Sequence, residues 1–144
     1  MYAAARAARA SLTLSEWRLL IVVAGAQIAT HAALRVMPLP ALRRRAAQLH
    51  PLVRLAARAS DERVIWATGA TGRRLGRVST CLTRALVVEL VIGTASDLTF
   101  SIGVRRMGAS ALEAHAWLAR RDRVLVGATA DDYAPLVEWV ARSA

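Results

Sequence analysis

The sequence has no lysine, and all 20 of its basic residues are arginine. It has only one cysteine in 144 residues, so no disulfide can form within the chain. A lone thiol suits a reducing compartment, and we therefore expect a cytoplasmic protein. Because 56% of the residues are hydrophobic, the chain can build one core, which argues against wholesale disorder.

Acidic residues are few, ten against the 20 arginines, and the formal net charge is +10. Such a balance could bind phosphates, anionic lipid or an acidic peptide. The arginines are spread along the chain, however, and aromatic residues that would stack on bases are not interleaved with them, so we predict no nucleic-acid binding. We expect the arginine-rich surface, including Arg43 to Arg45, to attract an acidic peptide or partner, and assign it no specific contact.

Long apolar runs are also missing. The stretch from Leu19 to Leu34 is interrupted by Gln27 and His31, so it lacks the uninterrupted apolar length that a membrane span needs. We predict no stable membrane insertion, and keep a membrane-attached helical protein as an alternative hypothesis.

Metal-ligand clusters are absent from the sequence as well. The single cysteine and three scattered histidines, at positions 31, 50 and 115, have no spacing typical of a zinc site. Gly69 and Gly72 lack the preceding strand and the Gly-Lys pair of a phosphate-binding loop. We predict no metal and no cofactor.

The pattern along the chain predicts a flexible N-terminus over residues 1–14 and one domain over residues 15–144. Ser15 is the predicted N-cap of a first helix that runs to about Arg35. Three polar residues four apart predict the solvent-exposed stripe of that helix: Gln27, His31 and Arg35.

Further helices and strands follow in that order. A second helix should begin at Ala41, restart or kink at Pro51 and run on towards Arg58, and a third should follow Ser60 and stop at Gly76. A fourth, capped by Ser79 or Thr80, is apolar nearly all round and therefore central. The remaining segments are three predicted strands and a closing extended piece or short helix: 98–104, 114–119, 123–126 and 133–141. This order predicts an α+β fold.

Cys81 lies in the first turn of the predicted central helix. Backbone N–H groups and the helix dipole favour a thiolate there, and the same N–H groups can donate to an oxyanion. The alternative is a small buried hydrophobic residue.

His115 lies near the start of the second predicted strand, from which it could project towards a helix N-terminus packed on the sheet. Alone, it could equally be a structural histidine. A cysteine at a helix start followed by a histidine on a strand is, however, the arrangement of papain-like and transglutaminase-like sites. We therefore predict that fold, with N-terminal helices and a central nucleophile-bearing helix packed on a small antiparallel sheet.

A third residue should orient the imidazole. If Arg121 and Asp122 form a hairpin turn, His115 lies opposite Ala128, and Asp122 is then some ~20 Å away along the ladder. Two later carboxylates could fold back towards the histidine, although turn or N-cap roles suit them equally well: Asp131 and Asp132.

Three segments resemble the lasso-peptide leader peptidases, which are transglutaminase-like cysteine proteases. They are Cys81-Leu82-Thr83-Arg84-Ala85-Leu86, Ser101-Ile102-Gly103-Val104-Arg105 and Ala114-His115-Ala116-Trp117-Leu118. The resemblance implies an enzyme that cuts the leader from a ribosomally made precursor, so that an ATP-dependent cyclase can close the macrolactam. It also implies a separate PqqD-like leader-recognition protein as a partner.

One position departs from that family. The acidic residue expected about twelve positions after His115 is replaced by Gly127. Asp131 or Asp132 could substitute, a backbone carbonyl could orient the imidazole, or the pair could act as a dyad. The missing acid also leaves open a non-catalytic scaffold of the same biosynthetic complex.

Overall fold

The computed structural model describes residues 12–93, 97–129 and 132–140. Four α-helices are followed by a four-stranded antiparallel sheet, which confirms the α+β fold. The helices are α1 (Leu14–Ala33), α2 (Leu39–Ala57), α3 (Asp61–Leu75) and α4 (Cys81–Ile92); the strands are β1 (Leu98–Met107), β2 (Ala111–Arg120), β3 (Arg123–Val126) and β4 (Ala134–Val140). The sheet order is β3-β2-β1-β4. The predicted flexible N-terminus falls mainly outside the described residues.

The first helix begins one residue before the predicted cap. Thr13 is its N-cap: the Thr13 hydroxyl accepts from the Glu16 amide at 3.2 Å, and the Thr13 amide donates to the Glu16 carboxylate at 2.8 Å. This reciprocal capping box satisfies two N–H groups at once. The prediction that Ser15 caps the helix is therefore wrong.

The orientation of α1 also differs from the prediction. Gln27 is completely buried, in line with the buried Leu19 and Val23, and does not belong to a solvent-exposed stripe. The opposite side of the helix carries exposed apolar residues: Leu14, Trp17, Ile21 and Ile28. Although α1 is apolar on both sides, none of the described helices combines the length and apolar character needed to cross a membrane.

The second helix continues through Pro51 to Ala57, so a restart at Pro51 is wrong, whereas the predicted run towards Arg58 is confirmed. Packing on either side of the proline explains the continuity. His50 Nδ1 donates to the Leu90 carbonyl of α4 at 2.8 Å, and Val53 and Ala57 pack in the core between the helices. These contacts keep the residues before and after Pro51 in one helix, although proline cannot donate the usual backbone hydrogen bond.

Helix α4 is central, because it contributes to both parts of the core. Its Val87 and Val91 pack among α1, α2 and α3. Other residues of α4 pack against the sheet in a second cluster of fully buried side chains: Ala85, Leu86, Val88, Leu98, Phe100, Ala116 and Leu118. The start of this helix is therefore fixed relative to both the helical layer and β2.

One arginine predicted to lie on the basic surface belongs to the interior instead. Arg43 forms a bidentate pair with Glu89 of α4, with distances of 3.0 and 2.5 Å. Its guanidinium also lies over the rings of Phe100 and Trp139, 4.9 and 4.8 Å from their centroids. Because both partners are at least four-fifths buried, Arg43 links α2 and α4 to the sheet and offers no contact to an acidic ligand.

Candidate active site

Cys81 is the first residue of α4, as the sequence predicts, and is half-buried against the cluster that contains Ala116. Thr80 is the N-cap, and its hydroxyl accepts from the Thr83 amide at 3.1 Å. The first amides of a helix have no acceptor four residues earlier. In the described structure the cap uses only the Thr83 amide, which leaves those of Cys81 and Leu82 to bind an anion.

A buried polar network supports the segment that leads into Cys81. The amide nitrogen of Gln27 donates to Thr71 Oγ1 at 2.6 Å, and its oxygen accepts from the Ser79 hydroxyl. Arg84 Nε donates to the same Ser79 oxygen at 2.9 Å. A Cβ at residue 72 would lie 2.6 Å from Ser79 Oγ, so Gly72 permits this approach. The network joins α1, α3 and the turn before the nucleophile helix.

Sequence reasoning missed this network, because a glutamine in a polar stripe of a helix is normally solvent-exposed. The available signal was the pair of hydroxyl residues at 71 and 79, together with Gln27 in an otherwise apolar helix. A buried amide needs hydrogen-bond partners, and hydroxyl groups supply them.

His115 lies on β2, and its ring Nε2 is 2.7 Å from the carbonyl oxygen of Gly127. Because a carbonyl only accepts, Nε2 must carry the proton, and the lone pair of a neutral ring then lies on Nδ1. The ring also stacks on Trp117, with centroids 6.2 Å apart, and contacts Tyr133 at 5.0 Å. His115 is thus held as the tautomer that can accept a proton at Nδ1.

Gly127 reaches this position because the ladder between β2 and β3 is irregular. The turn at Arg121 and Asp122 is confirmed, but the register shifts at a bulge between Leu118 and Ala119, and β3 ends at Val126. His115 therefore has no ladder partner at Ala128, and that expectation is wrong.

The backbone at Gly127 also excludes a side chain. Its φ is +82°, and a Cβ would lie 2.5 Å from the Ala116 carbonyl oxygen. A carboxylate cannot occupy this position without moving the backbone. The carbonyl of the same residue makes the contact to His115 instead, which was one of the three alternatives open from the sequence.

Of the two candidate carboxylates, only Asp132 is among the described residues. Asp131 lies outside the described residues. Asp132 is exposed and lines a pocket of about 250 Å³ together with Trp117, Gly127 and Tyr133. The described hydrogen bond of His115 is made with Gly127 and not with Asp132, so a role for Asp132 stays a prediction.

Cys81 and His115 lie on neighbouring elements but are not hydrogen-bonded to each other in the described structure. Side chains alternate along a strand, and Ala116 points towards α4, so His115 and Trp117 lie on the other face of β2. Strand β3 pairs with β2 only from Leu118 onwards, so within the described residues the β2 edge beside His115 carries no strand. The residue after β3, Gly127, lies against this edge, since a Cβ there would be 2.5 Å from the Ala116 carbonyl oxygen. A meeting of thiol and imidazole therefore requires a movement of β2 or of the segment that follows β3.

A carboxylate, that of Glu113, shares the face of His115. The pKa of Glu113 is held below its ordinary value by hydrogen bonds from Arg105, whose Nε is 2.6 Å away, and from Tyr133. Glu113 is therefore a fixed negative charge two residues from His115 along one strand face. The period-two spacing of residues 113 and 115 on one strand could have identified it from the sequence.

Among the described residues no three metal-ligating side chains converge on one point. Comparison with known proteins bears on the same elements. No curated protein and no solved structure matches the chain. A family model described as "Transglutaminase-like superfamily" matches residues 23–138, a range that includes Cys81, His115 and Gly127. Because this match covers most of the 144 residues, the chain belongs to the transglutaminase-like superfamily.

Proposed function

We propose that this protein is a cysteine endopeptidase that removes the leader from a ribosomally made lasso-peptide precursor. Membership of the transglutaminase-like superfamily supports cysteine-based acyl chemistry. The observation that carries the proposal is the 2.7 Å hydrogen bond between His115 Nε2 and the Gly127 carbonyl. It gives the imidazole the tautomer of a general base, on the strand that packs beside the nucleophile helix.

In the proposed reaction, Nδ1 of His115 takes the thiol proton of Cys81, and the thiolate attacks the scissile carbonyl. The amides of Cys81 and Leu82 hold the resulting oxyanion. The imidazolium then returns its proton to the leaving amine as the peptide bond breaks. Water, activated by the same nitrogen, hydrolyses the thioester and restores the thiol. Each step requires a movement that brings His115 to the side of β2 on which Cys81 lies.

Replacing the usual carboxylate by the Gly127 carbonyl should weaken catalysis only in part. In serine proteases an amide in place of the aspartate lowers the rate ~10⁴-fold because it selects the wrong histidine tautomer. A carbonyl selects the correct tautomer, but its dipole stabilises the imidazolium less than a full charge does. We therefore propose a slow but competent enzyme, with Glu113 supplying negative charge on the same sheet face.

The partners follow from the motif resemblance, the cytoplasmic location follows from the lone cysteine, and both belong to the same proposal. The partners are the precursor leader, a PqqD-like leader-recognition protein and the ATP-dependent macrolactam cyclase, all in the cytoplasm. The exposed Arg44 and Arg45 support attraction of an acidic peptide, whereas Arg43 is already paired with Glu89.

The test is release of the leader, followed by mass spectrometry, when the precursor and recognition partner are mixed with the protein. Cys81→Ala should abolish release, and His115→Ala should slow it by at least about 10²-fold, as expected for loss of a general base. His31→Ala is a matched control on a half-buried histidine of α1 and should have no effect. Release by Cys81→Ala at the wild-type rate would rule out the peptidase.

A scaffold role is the second candidate, since no described hydrogen bond joins Cys81 to His115 and residue 127 carries no acid. In that case the wild-type protein would release no leader under any condition. It would still co-purify with the precursor and cyclase, and Cys81→Ala would not change that association.

A further inference from the structure

Helix α1 carries an apolar face that the fold leaves uncovered. Leu14, Trp17, Ile21 and Ile28 form this α1 outer face, and they are 87%, 49%, 67% and 52% exposed. Their spacings of three, four and seven residues place them on one side of the helix, opposite Val23 and Gln27. This is the heptad spacing of a helix–helix contact. We propose that the α1 outer face binds an apolar helix of a partner protein, flanked by acidic side chains.

The shape of the surface favours a helix over a flat partner. A groove of about 410 Å³ runs along one side of the outer face, between α1 and α3, and includes Trp66 and Leu75. A larger groove of about 600 Å³ runs along the other side, between α1 and α2, and includes Leu49 and Leu52. The outer face is thus a ridge between two apolar grooves. Side chains of a second helix can enter such grooves, whereas a lipid surface would cover only the ridge.

Arginines border both grooves, and their positive charge favours an acidic partner. Arg45 lines the larger groove and Arg74 the smaller one, and Arg18 of α1 and Arg73 of α3 are exposed. The acidic Glu16 of α1 is already paired with Arg63. Because the whole chain carries a net charge of +10, two copies of this surface would repel each other. A partner helix with acidic side chains on both borders of its apolar stripe would instead meet arginines on both sides of the α1 outer face.

This inference does not depend on the proposed peptidase activity, because the outer face contains neither Cys81 nor His115. It concerns only the binding of a partner helix that carries an apolar stripe bordered by acidic side chains. Loss of leader release would not test it, and loss of partner binding would not test the catalytic pair.

The test uses a synthetic three-heptad helical peptide with Leu at the apolar positions and Glu at the flanking positions. Its binding to the full chain is measured by fluorescence anisotropy, beside the same peptide carrying Lys in place of Glu. The Glu peptide should bind, and more weakly as salt rises. The Lys peptide should bind at least about tenfold more weakly.

Ile21→Glu should weaken binding of the Glu peptide at least about tenfold, because it places a charge at the centre of the apolar contact. Leu112→Glu is the matched control, since Leu112 is 70% exposed, lies on β2 and introduces the same charge. It should change binding less than about twofold. Ile28→Glu gives a second test of the face, and circular dichroism should show that all three variants keep the helical content of the wild type.

Three results would overturn the proposal. The first is equal binding of the Glu peptide by Ile21→Glu and the wild type, or no binding by either. The second is a dimer in sedimentation that Ile21→Glu dissociates, which would assign the face to a second copy. The third is co-flotation with phosphatidylglycerol vesicles, lost in Ile21→Glu, without binding of the Glu peptide, which would assign it to a membrane surface.

Discussion

The close approach of Gly127 to β2 leads to a quantitative prediction for Gly127→Ala. The φ of +82° costs a non-glycine residue about 1–2 kcal/mol. The new Cβ would lie 2.5 Å from the Ala116 carbonyl oxygen, and relieving such an overlap costs about 1–3 kcal/mol more. The free energy of unfolding should therefore fall by about 2–5 kcal/mol, which corresponds to a melting temperature lower by about 8–20 °C for a chain of this size. The Gly127 carbonyl must also move, so His115 should lose its anchor.

Gly108→Ala is the matched control. Gly108 also has a positive φ, +66°, but a Cβ there would meet no atom within 4 Å. It should lower the free energy of unfolding by only about 1–2 kcal/mol. Thermal unfolding measures both variants, and ¹⁵N NMR of the imidazole reports whether His115 keeps its proton on Nε2. Equal melting temperatures for the two variants, with the Nε2–H tautomer retained in Gly127→Ala, would refute this account of the site.

Three further predictions follow from the polar contacts. Gln27→Ala should lower the free energy of unfolding by about 1–3 kcal/mol, as expected when buried partners lose their hydrogen bonds, and should slow alkylation of Cys81 by iodoacetamide. Because the pKa of Glu113 is depressed, its contribution to stability should be present above its ordinary value of 4.5 and be lost as the pH falls through the lower folded value. Glu113→Gln should remove this dependence in acid unfolding followed by circular dichroism, and Arg105→Gln should reduce it. Asp132→Asn should leave leader release within about twofold of the wild type, since the described hydrogen bond of His115 does not involve Asp132.

Much of the fold near Cys81 could be predicted because its signals are local. Thr80 was one of two predicted caps for α4, and the observed helix spans the predicted residues. The hairpin turn at Arg121 and Asp122 is also where the sequence places it, and the first pairs follow the predicted register. Caps and tight turns depend on neighbouring residues, so their positions are visible in the chain itself.

The features that could not be predicted depend on contacts between residues far apart in the sequence. The burial of Gln27 requires hydroxyl partners that lie more than 40 residues later, and Pro51 stays within a helix because both halves pack on other elements. The register shift that brings the Gly127 carbonyl to His115 has no local sequence signal either, because no residue type around Leu118 specifies such a shift. The sequence could therefore show that an acid is missing, but not which group takes its place.

The central claim is that Cys81 and His115 act as one site. Since the chain has only one cysteine, the rate of its alkylation by iodoacetamide reports on that thiol alone. The measurement is this rate against pH, for the wild type and for His115→Ala. We predict that His115→Ala reacts at least about tenfold more slowly than the wild type near pH 6.5, because the thiol then has no base to take its proton. Superimposable profiles for the two proteins would contradict the claim.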